Sequence, residues 1–248
     1  MPTDFSQKGI FVTGTDTGVG KTLVSAALAL FLRGFGIDVG VMKPVETGVD
    51  EPAGLGEDAT LLQWAAKSGD APDSICPCRL RLPLAPSEAA SREGAAIDLS
   101  LLQDRFEALA GRHDFVIVEG AGGLMVPIAG GVLMADLARN LGLPLLVVAR
   151  PGLGTINHTL LTVFAARTME LPLAGMIING MPNSPDEAEQ SAPHALAALA
   201  SADLLGVLPR VAGEKREMAE ALAKHIAALP SLFWLLKGLG LPTDLAGH

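Results

Sequence analysis

The sequence predicts an α/β fold: a doubly wound, mostly parallel sheet flanked by helices, in one domain over residues 1–248. Three observations carry that expectation. Apolar residues make up 49% of the chain and aromatic ones only 4%, with no Tyr, so the core must be built from Leu, Val, Ile and Ala, as buried parallel strands require. Short apolar runs suited to strands alternate with Ala/Leu-rich helical stretches. The distinctive Gly-rich and charged segments fall at the carboxyl ends of those runs, where open α/β sheets bind ligands.

Taken in order, residues 8–13 read as the first strand and residues 14–20 as a turn rich in Gly and Thr. An Ala/Leu-rich helix follows over 21–34, closed by Gly34 and Gly36. A second strand, 38–42, runs straight into Lys43-Pro44. Residues 57–67 read as a helix; residues 70–86, punctuated by Pro72, Pro77, Pro83 and Pro86, read as a loop. Another helix covers 98–110, with Asp98 or Ser100 as its cap. The apolar run 115–118 is a buried central strand, and Glu119-Gly120-Ala121-Gly122-Gly123 follows at its end. Later strands fall at 145–149, 174–178 and 204–208, with helices near 155–169, 186–200 and 214–228. The tail containing Phe233-Trp234-Leu235-Leu236 is expected to cap the sheet or a partner subunit.

The formal charge is −9, from 18 basic and 27 acidic residues, and no dense Lys/Arg run occurs, which argues against a long nucleic acid as partner. No apolar run reaches bilayer-spanning length, and the polar segment 1–8 lacks a signal-peptide core, so no membrane association and a cytoplasmic location are expected. Cys76 and Cys78, separated by Pro77, make neither a disulfide framework nor a zinc set and are read as reduced thiols.

Gly14-Thr15-Asp16-Thr17-Gly18-Val19-Gly20-Lys21-Thr22 lies between a strand and a helix. Its glycines let successive N–H groups face phosphate oxygens, and the helix N-terminus adds positive potential. Lys21 would reach the β- and γ-phosphates of a nucleoside triphosphate, and the Thr22 hydroxyl would bind Mg²⁺. Five residues separate Gly14 from Gly20, one more than in the usual phosphate-loop pattern. Glu119, at the end of a central strand beside this loop, is placed to hold hydrated magnesium. Lys43, in Lys43-Pro44-Val45-Glu46-Thr47-Gly48, would neutralise charge during phosphoryl transfer. Asp58 reads equally well as a second metal carboxylate or as a residue favoured by the dipole at a helix start. In Arg150-Pro151-Gly152-Leu153-Gly154-Thr155-Ile156-Asn157-His158, the glycines before a helix expose N–H groups suited to a carboxylate, and His158 reads as a packed or solvent-facing residue.

The set made by residues 13–22, Lys43 to Gly48, Asp58, Glu119 to Gly123 and Gly154 to His158, in that order, resembles the dethiobiotin synthetase family. The resemblance runs from about residue 10 to about residue 210. It implies a phosphate-loop NTPase-like fold and an ATP-dependent ligase of biotin synthesis. Carbon dioxide and 7,8-diaminopelargonic acid would be joined, through a carbamate and a carbamic-phosphoric anhydride, into dethiobiotin, with ADP and phosphate released. By that resemblance Lys21 and Lys43 are catalytic, and Thr22, Asp58 and Glu119 hold Mg²⁺. ATP lies on Thr15, Asp16, Thr17, Gly18, Val19, Gly20, Lys21 and Thr22, with Asn179 and Pro209 near its base. The diamine meets Thr15, Lys43, Thr47 and Gly122, while Gly152, Leu153, Gly154 and Asn157 hold its distant carboxylate from the second subunit of a homodimer with the site at the interface. Gly18 stands where some members have Glu, Gly180 where an acidic residue is often found, and the Pro83–Pro86 stretch lacks an expected histidine. A nucleotide-dependent switch of the partition type is the rival reading; such loops carry an extra lysine near their start, where this chain has Asp16-Thr17-Gly18.

Overall fold

The computed structural model describes residues 9–247. Lys8, the expected first strand residue, and the polar segment 1–8 lie outside the described residues. The chain runs β1 (Gly9–Gly14), α1 (Lys21–Gly34), β2 (Val39–Met42), β3 (Val45–Thr47), α2 (Glu57–Ala66), α3 (Pro72–Ile75), β4 (Cys78–Leu80), α4 (Pro86–Glu93) and α5 (Leu99–Ala110). It continues through β5 (Phe115–Gly123), β6 (Pro127–Ala129), β7 (Val132–Leu133), α6 (Met134–Asn140), β8 (Leu145–Ala149), α7 (Thr155–Thr168) and β9 (Leu173–Met181). The last elements are α8 (Glu187–Leu199), β10 (Leu204–Pro209), α9 (Lys215–Ala227), α10 (Leu232–Gly238) and a short 3₁₀ turn (Thr243–Gly247).

The central sheet has six strands in the order β10-β9-β8-β1-β5-β2, and each neighbouring pair in it is parallel. The strands read as unbroken apolar runs because both faces are covered. Ile10, Val12, Phe115 and Ile117 enter one core cluster with α1, α2, α9 and α10. Phe11, Val116 and Val118, pointing the opposite way, enter a second with α5 and α6. Val147, Met176 and Ile178 form a third with Leu196 of α8.

One stretch departs from expectation. Residues 70–86 are not loop: they contain α3 and β4, and α4 starts at Pro86. Pro72 and Pro86 sit at the first helical positions, where the missing N–H costs nothing and φ already suits a helix, so residues that read as loop breakers start helices instead. β4 pairs with β3 in a separate parallel two-stranded sheet. Pro44 explains the separation: it has no N–H to offer the main sheet, so the chain leaves β2 after Lys43 and swings aside. Lys43 N–H donates to the Ile75 carbonyl at 2.7 Å, anchoring the departure point.

Two further departures are extensions. β5 continues past Val118 through Glu119 to Gly123, and β6, β7 and α6 fill a span that carried no assignment. In the tail, Leu235 and Leu236 are fully buried in the first core cluster, while Phe233 and Trp234 face outward. α10 lies so close to β9 that a Cβ at Gly238 would stand 2.6 Å from the Ala174 carbonyl. The tail therefore covers the sheet of its own chain.

The cap expected at 98 or 100 is Asp98, whose side chain accepts the N–H groups of Ser100 and Leu101. Asp98→Ala leaves both donors to water and should lower the unfolding free energy by about 1 kcal/mol. Urea denaturation checks the size, with nucleotide affinity unchanged because α5 is remote from the loop after β1.

Candidate active site

The loop between β1 and α1 is shaped by backbone conformations that side chains resist. Gly18 and Gly20 take φ of 76° and 90°. At Gly20 a Cβ would also stand 2.2 Å from Asn179 Nδ2, which donates to the Val19 carbonyl at 3.1 Å. Asn179, at the end of β9, thus ties the phosphate loop to the far half of the sheet. Gly180 takes φ of 86°. Two of the three departures from the family pattern, Gly18 and Gly180, are positions where a glutamate or aspartate would be strained.

Four elements then bring charged groups together. Lys21 opens α1, and its ammonium arches over the loop to donate to the Asp16 carbonyl at 3.2 Å. Thr22, beside it, donates its hydroxyl to Glu119 Oε1 at 2.8 Å. Lys43 Nζ lies 2.6 Å from the same Glu119 oxygen and 2.8 Å from Asp58 Oδ2, bridging the two carboxylates. Lys43 and Glu119 are buried, and Asp58 is partly exposed at the mouth.

Their protonation follows from this packing. Burial alone would lower the Lys43 pKa, but the charges of Glu119 and Asp58 outweigh it and hold the ammonium protonated well above its ordinary range. Burial likewise works to raise the Asp58 pKa; the Lys43 charge, its hydrogen bond and the Thr22 hydroxyl overcome it, keeping the carboxyl below its usual value. Lys21 goes the other way: burial lowers its pKa, with Glu119 only partly compensating. An anion beside Lys21 would restore what burial takes away.

These groups line a cavity of about 440 Å³ that also holds Thr17, Gly18, Gly20, Thr47, Ala121 and Gly122. The donor set fits a magnesium–nucleotide ligand on two counts. Thr22, Asp58 and Glu119 are hard oxygen donors meeting beside a phosphate loop, and Glu119 Oε2 is buried with no hydrogen-bond partner among the described residues. No cluster of three or more His, Cys, Asp or Glu side chains suited to a metal occurs among the described residues. Magnesium held largely by water and phosphate oxygens does not need one.

The other expected residues lie around this centre. Thr15 and Asp16 face a neighbouring cleft of about 420 Å³, shared with Thr17, Met125, His158 and Leu161. Val19 is buried beneath the loop, and Pro209 ends β10 beside Met181 of β9. Gly152, Leu153, Gly154 and Asn157 line neither cavity; Leu153 is 84% exposed. Cys76 is buried, and burial pushes the half-buried Cys78 thiol up to about 11, so neither is a ready nucleophile.

Two charged lining residues had no role from sequence. Lys215, at the start of α9, reaches the cavity mouth and pairs with Glu57 of α2. Nothing local marks it, because α9 meets α2 only in the folded chain. Glu46, between Lys43 and Thr47, is buried against the start of α2. Its sequence neighbours gave no signal for it, because the N–H groups that it meets belong to α2.

Comparison with known proteins places the chain in a family. The AAA domain family profile matches residues 8–217. The chain is 40% identical over 220 residues to the ATP-dependent dethiobiotin synthetase BioD of Bacillus subtilis subsp. natto, covering 88% of this chain and 95% of that protein. It is 43% identical over 222 residues to the ATP-dependent dethiobiotin synthetase BioD of Anaeromyxobacter dehalogenans strain 2CP-C, covering 88% and 99%. The chain belongs to the dethiobiotin synthetase family. Beyond that family, the fold is shared with the MinD cell division protein of Aquifex aeolicus at a TM-score of 0.54 and 17% identity, over 94% of this chain and 95% of that one. The ParA family ATPase of Chlorobium tepidum TLS matches at 0.53 and 17%, over 98% and 100%. At such identities only the fold is common to them and to this dethiobiotin synthetase family member.

Thr22→Val removes the hydroxyl that bonds Glu119 while keeping the side chain's shape. It should weaken nucleotide binding in the presence of Mg²⁺ and change little in its absence. Calorimetric titration with and without the ion checks this; the same Mg²⁺ dependence in both proteins would remove Thr22 from the metal set.

Proposed function

We propose that this chain catalyses the ATP- and Mg²⁺-dependent joining of carbon dioxide to 7,8-diaminopelargonic acid and the closure of the cyclic urea, giving dethiobiotin, ADP and phosphate in biotin synthesis. The observation that carries the reading is identity of 40% and 43% over nearly the full length of relatives named for that activity. The convergence of Lys21, Thr22, Lys43, Asp58 and Glu119 on one cavity supplies the chemistry.

One substrate amine, carrying CO₂ as a carbamate, is the nucleophile. A carbamate oxygen forms a bond to the γ-phosphorus as the bond to the ADP oxygen breaks, leaving a carbamic-phosphoric anhydride. The second amine then attacks the carbamoyl carbon, phosphate leaves with the electron pair of the broken C–O bond, and the amine's proton is released. Both attacking groups are already nucleophilic, so positioning and charge stabilisation suffice. Lys21 and Lys43 hold the charge shared by carbamate and γ-phosphate. Lys43 suits that task because its ammonium stays protonated and is fixed from two sides. Thr22, Asp58 and Glu119 would hold Mg²⁺, which supplies positive charge at the β- and γ-phosphate oxygens. Thr15, Thr47 and Gly122 contact the diamine end, and Asn179 with Pro209 flanks the base.

The reading includes a homodimer and a cytoplasmic location. Leu161 and Phe164, one turn apart on α7, are 58% and 68% exposed, and Met125 and Leu153 near them are 53% and 84% exposed. Met125 and Leu161 line one cleft, and large apolar side chains exposed to this degree support burial against a second copy. Such a copy would bring its 152–157 segment to the substrate's distant carboxylate. For location, support comes from the absence of any helix long and apolar enough to cross a membrane among the described residues.

The deciding experiment measures ADP release from ATP, Mg²⁺ and bicarbonate, with and without the diamine, alongside mass detection of product. Diamine-dependent release with one dethiobiotin per ADP is expected. Hydrolysis indifferent to the diamine would overturn the substrate and favour a nucleotide switch. Lys43→Ala should retain nucleotide binding while turnover falls by roughly 10²-fold or more; near-normal turnover would remove Lys43 from the mechanism. Phe164→Glu should shift the sedimenting species from dimer toward monomer and lower turnover with it.

A further inference from the structure

α2 carries Asp58 in its first turn, yet it starts without a cap of its own. Its N-cap is Gly56, which has no side-chain oxygen to satisfy the first N–H groups. The acceptor comes from elsewhere in the chain. Glu46, in the middle of β3, takes the Asp58 N–H on Oε1 at 2.8 Å and the Ala59 N–H on Oε2 at 3.1 Å. The side chain is buried, with the residue only 6% exposed. Two hydrogen bonds at the positive end of a helix offset part of the cost of that burial. A Cβ at Gly56 would stand 2.2 Å from Glu46 Oε1 and 2.4 Å from its Cδ, so the carboxylate fits only because residue 56 is glycine.

We propose that Glu46 is a positioning residue for the magnesium–nucleotide site, setting Asp58 by gripping its backbone N–H from the strand that follows Lys43. The proposal rests on the reading of Asp58 as a metal carboxylate. Glu46 lines the same cavity, but each of its oxygens already accepts a backbone N–H, so it acts through Asp58 rather than on the ligand. The geometry links both ends of one ion pair. Lys43 and Glu46 share the β2–β3 segment, Asp58 sits on α2, and the Glu46 contacts fix the distance across which Lys43 Nζ meets Asp58 Oδ2. A plain helix cap would stabilise α2 and do no more. A positioning residue must also change how the site binds metal.

Binding of the β,γ-imido analogue of ATP, titrated with Mg²⁺, separates these roles without any diamine present. Failure of dethiobiotin formation would overturn the proposed reaction and leave this test standing. Glu46→Ala should raise the Mg²⁺ concentration for half-maximal nucleotide binding by roughly 10-fold or more, as loss of a supporting contact to a metal ligand does. Nucleotide affinity without Mg²⁺ should change little. Glu46→Gln, which keeps one acceptor oxygen but turns an NH₂ toward the other N–H, should fall between. In a background of Asp58→Ala, either Glu46 substitution should cause no further shift. An unchanged Mg²⁺ midpoint in the folded variants, or the same shift with Asp58 absent, would overturn the proposal. If Glu46→Ala does not fold, the Glu46→Gln and Asp58→Ala pair decides it alone.

Discussion

The site is organised around a lysine ammonium held between two carboxylates. Lys43 meets Glu119 at 2.6 Å and Asp58 at 2.8 Å, and neither Lys43 nor Glu119 has access to water that could replace the other. Charges taken out of water this completely demand a partner with good geometry; an unpaired one costs several kcal/mol. The arrangement therefore constrains the elements around it. β2 must deliver Lys43, β5 must run past its apolar portion to deliver Glu119, and α2 must begin where Asp58 can reach across. Pro44 serves the same end by sending the chain away from the main sheet immediately after Lys43.

The phosphate loop is bound into this arrangement at several points. Thr22 bonds the same Glu119 oxygen that Lys43 uses, so the start of α1 and the middle of β5 are held together directly. Lys21 leans on the loop's own Asp16 carbonyl, and Asn179 closes on Val19 from the other side of the sheet. Donors preorganised in this way have little reorganisation left to undergo when charge develops on a ligand. The contrast between the two lysines fits a division of labour. Lys43 is held firmly protonated by fixed carboxylates, whereas Lys21 is depressed by burial and stands to gain most from an arriving phosphate.

Glu46 shows how the small β3–β4 sheet enters the site. The sheet lies apart from the six-stranded one, yet its first strand supplies the carboxylate that caps α2. The stretch 70–86 that read as loop builds the partner strand for that element. A segment that looked like a connection supports the corner of the cavity that carries Asp58.

Much of this was legible in the residues. Both faces of each central strand are buried, so the strands had to be continuous apolar runs, and the fold class followed from that pattern. Gly14 to Thr22 read as a phosphate loop because its glycines and Lys21-Thr22 fall between a strand and a helix, and Gly18 and Gly20 indeed take φ of 76° and 90°. Glu119 and Lys43 stood out as charges at the ends of buried strands. Asp58 could not be decided locally, since an acid in a helix's first turn is favoured by the dipole whether or not it binds metal. Its pairing with Lys43 across 15 residues came only from the packing of α2 against β2. The prolines of 70–86 were ambiguous for a similar reason: proline suits a helix's first turn as well as a loop. Glu46 and Lys215 took their places only in the folded chain, because the groups they meet lie 12 and 158 residues away. Local pattern determines which segments become strands, helices and phosphate loop. Which charges face one another across the cavity is decided by how the layers pack.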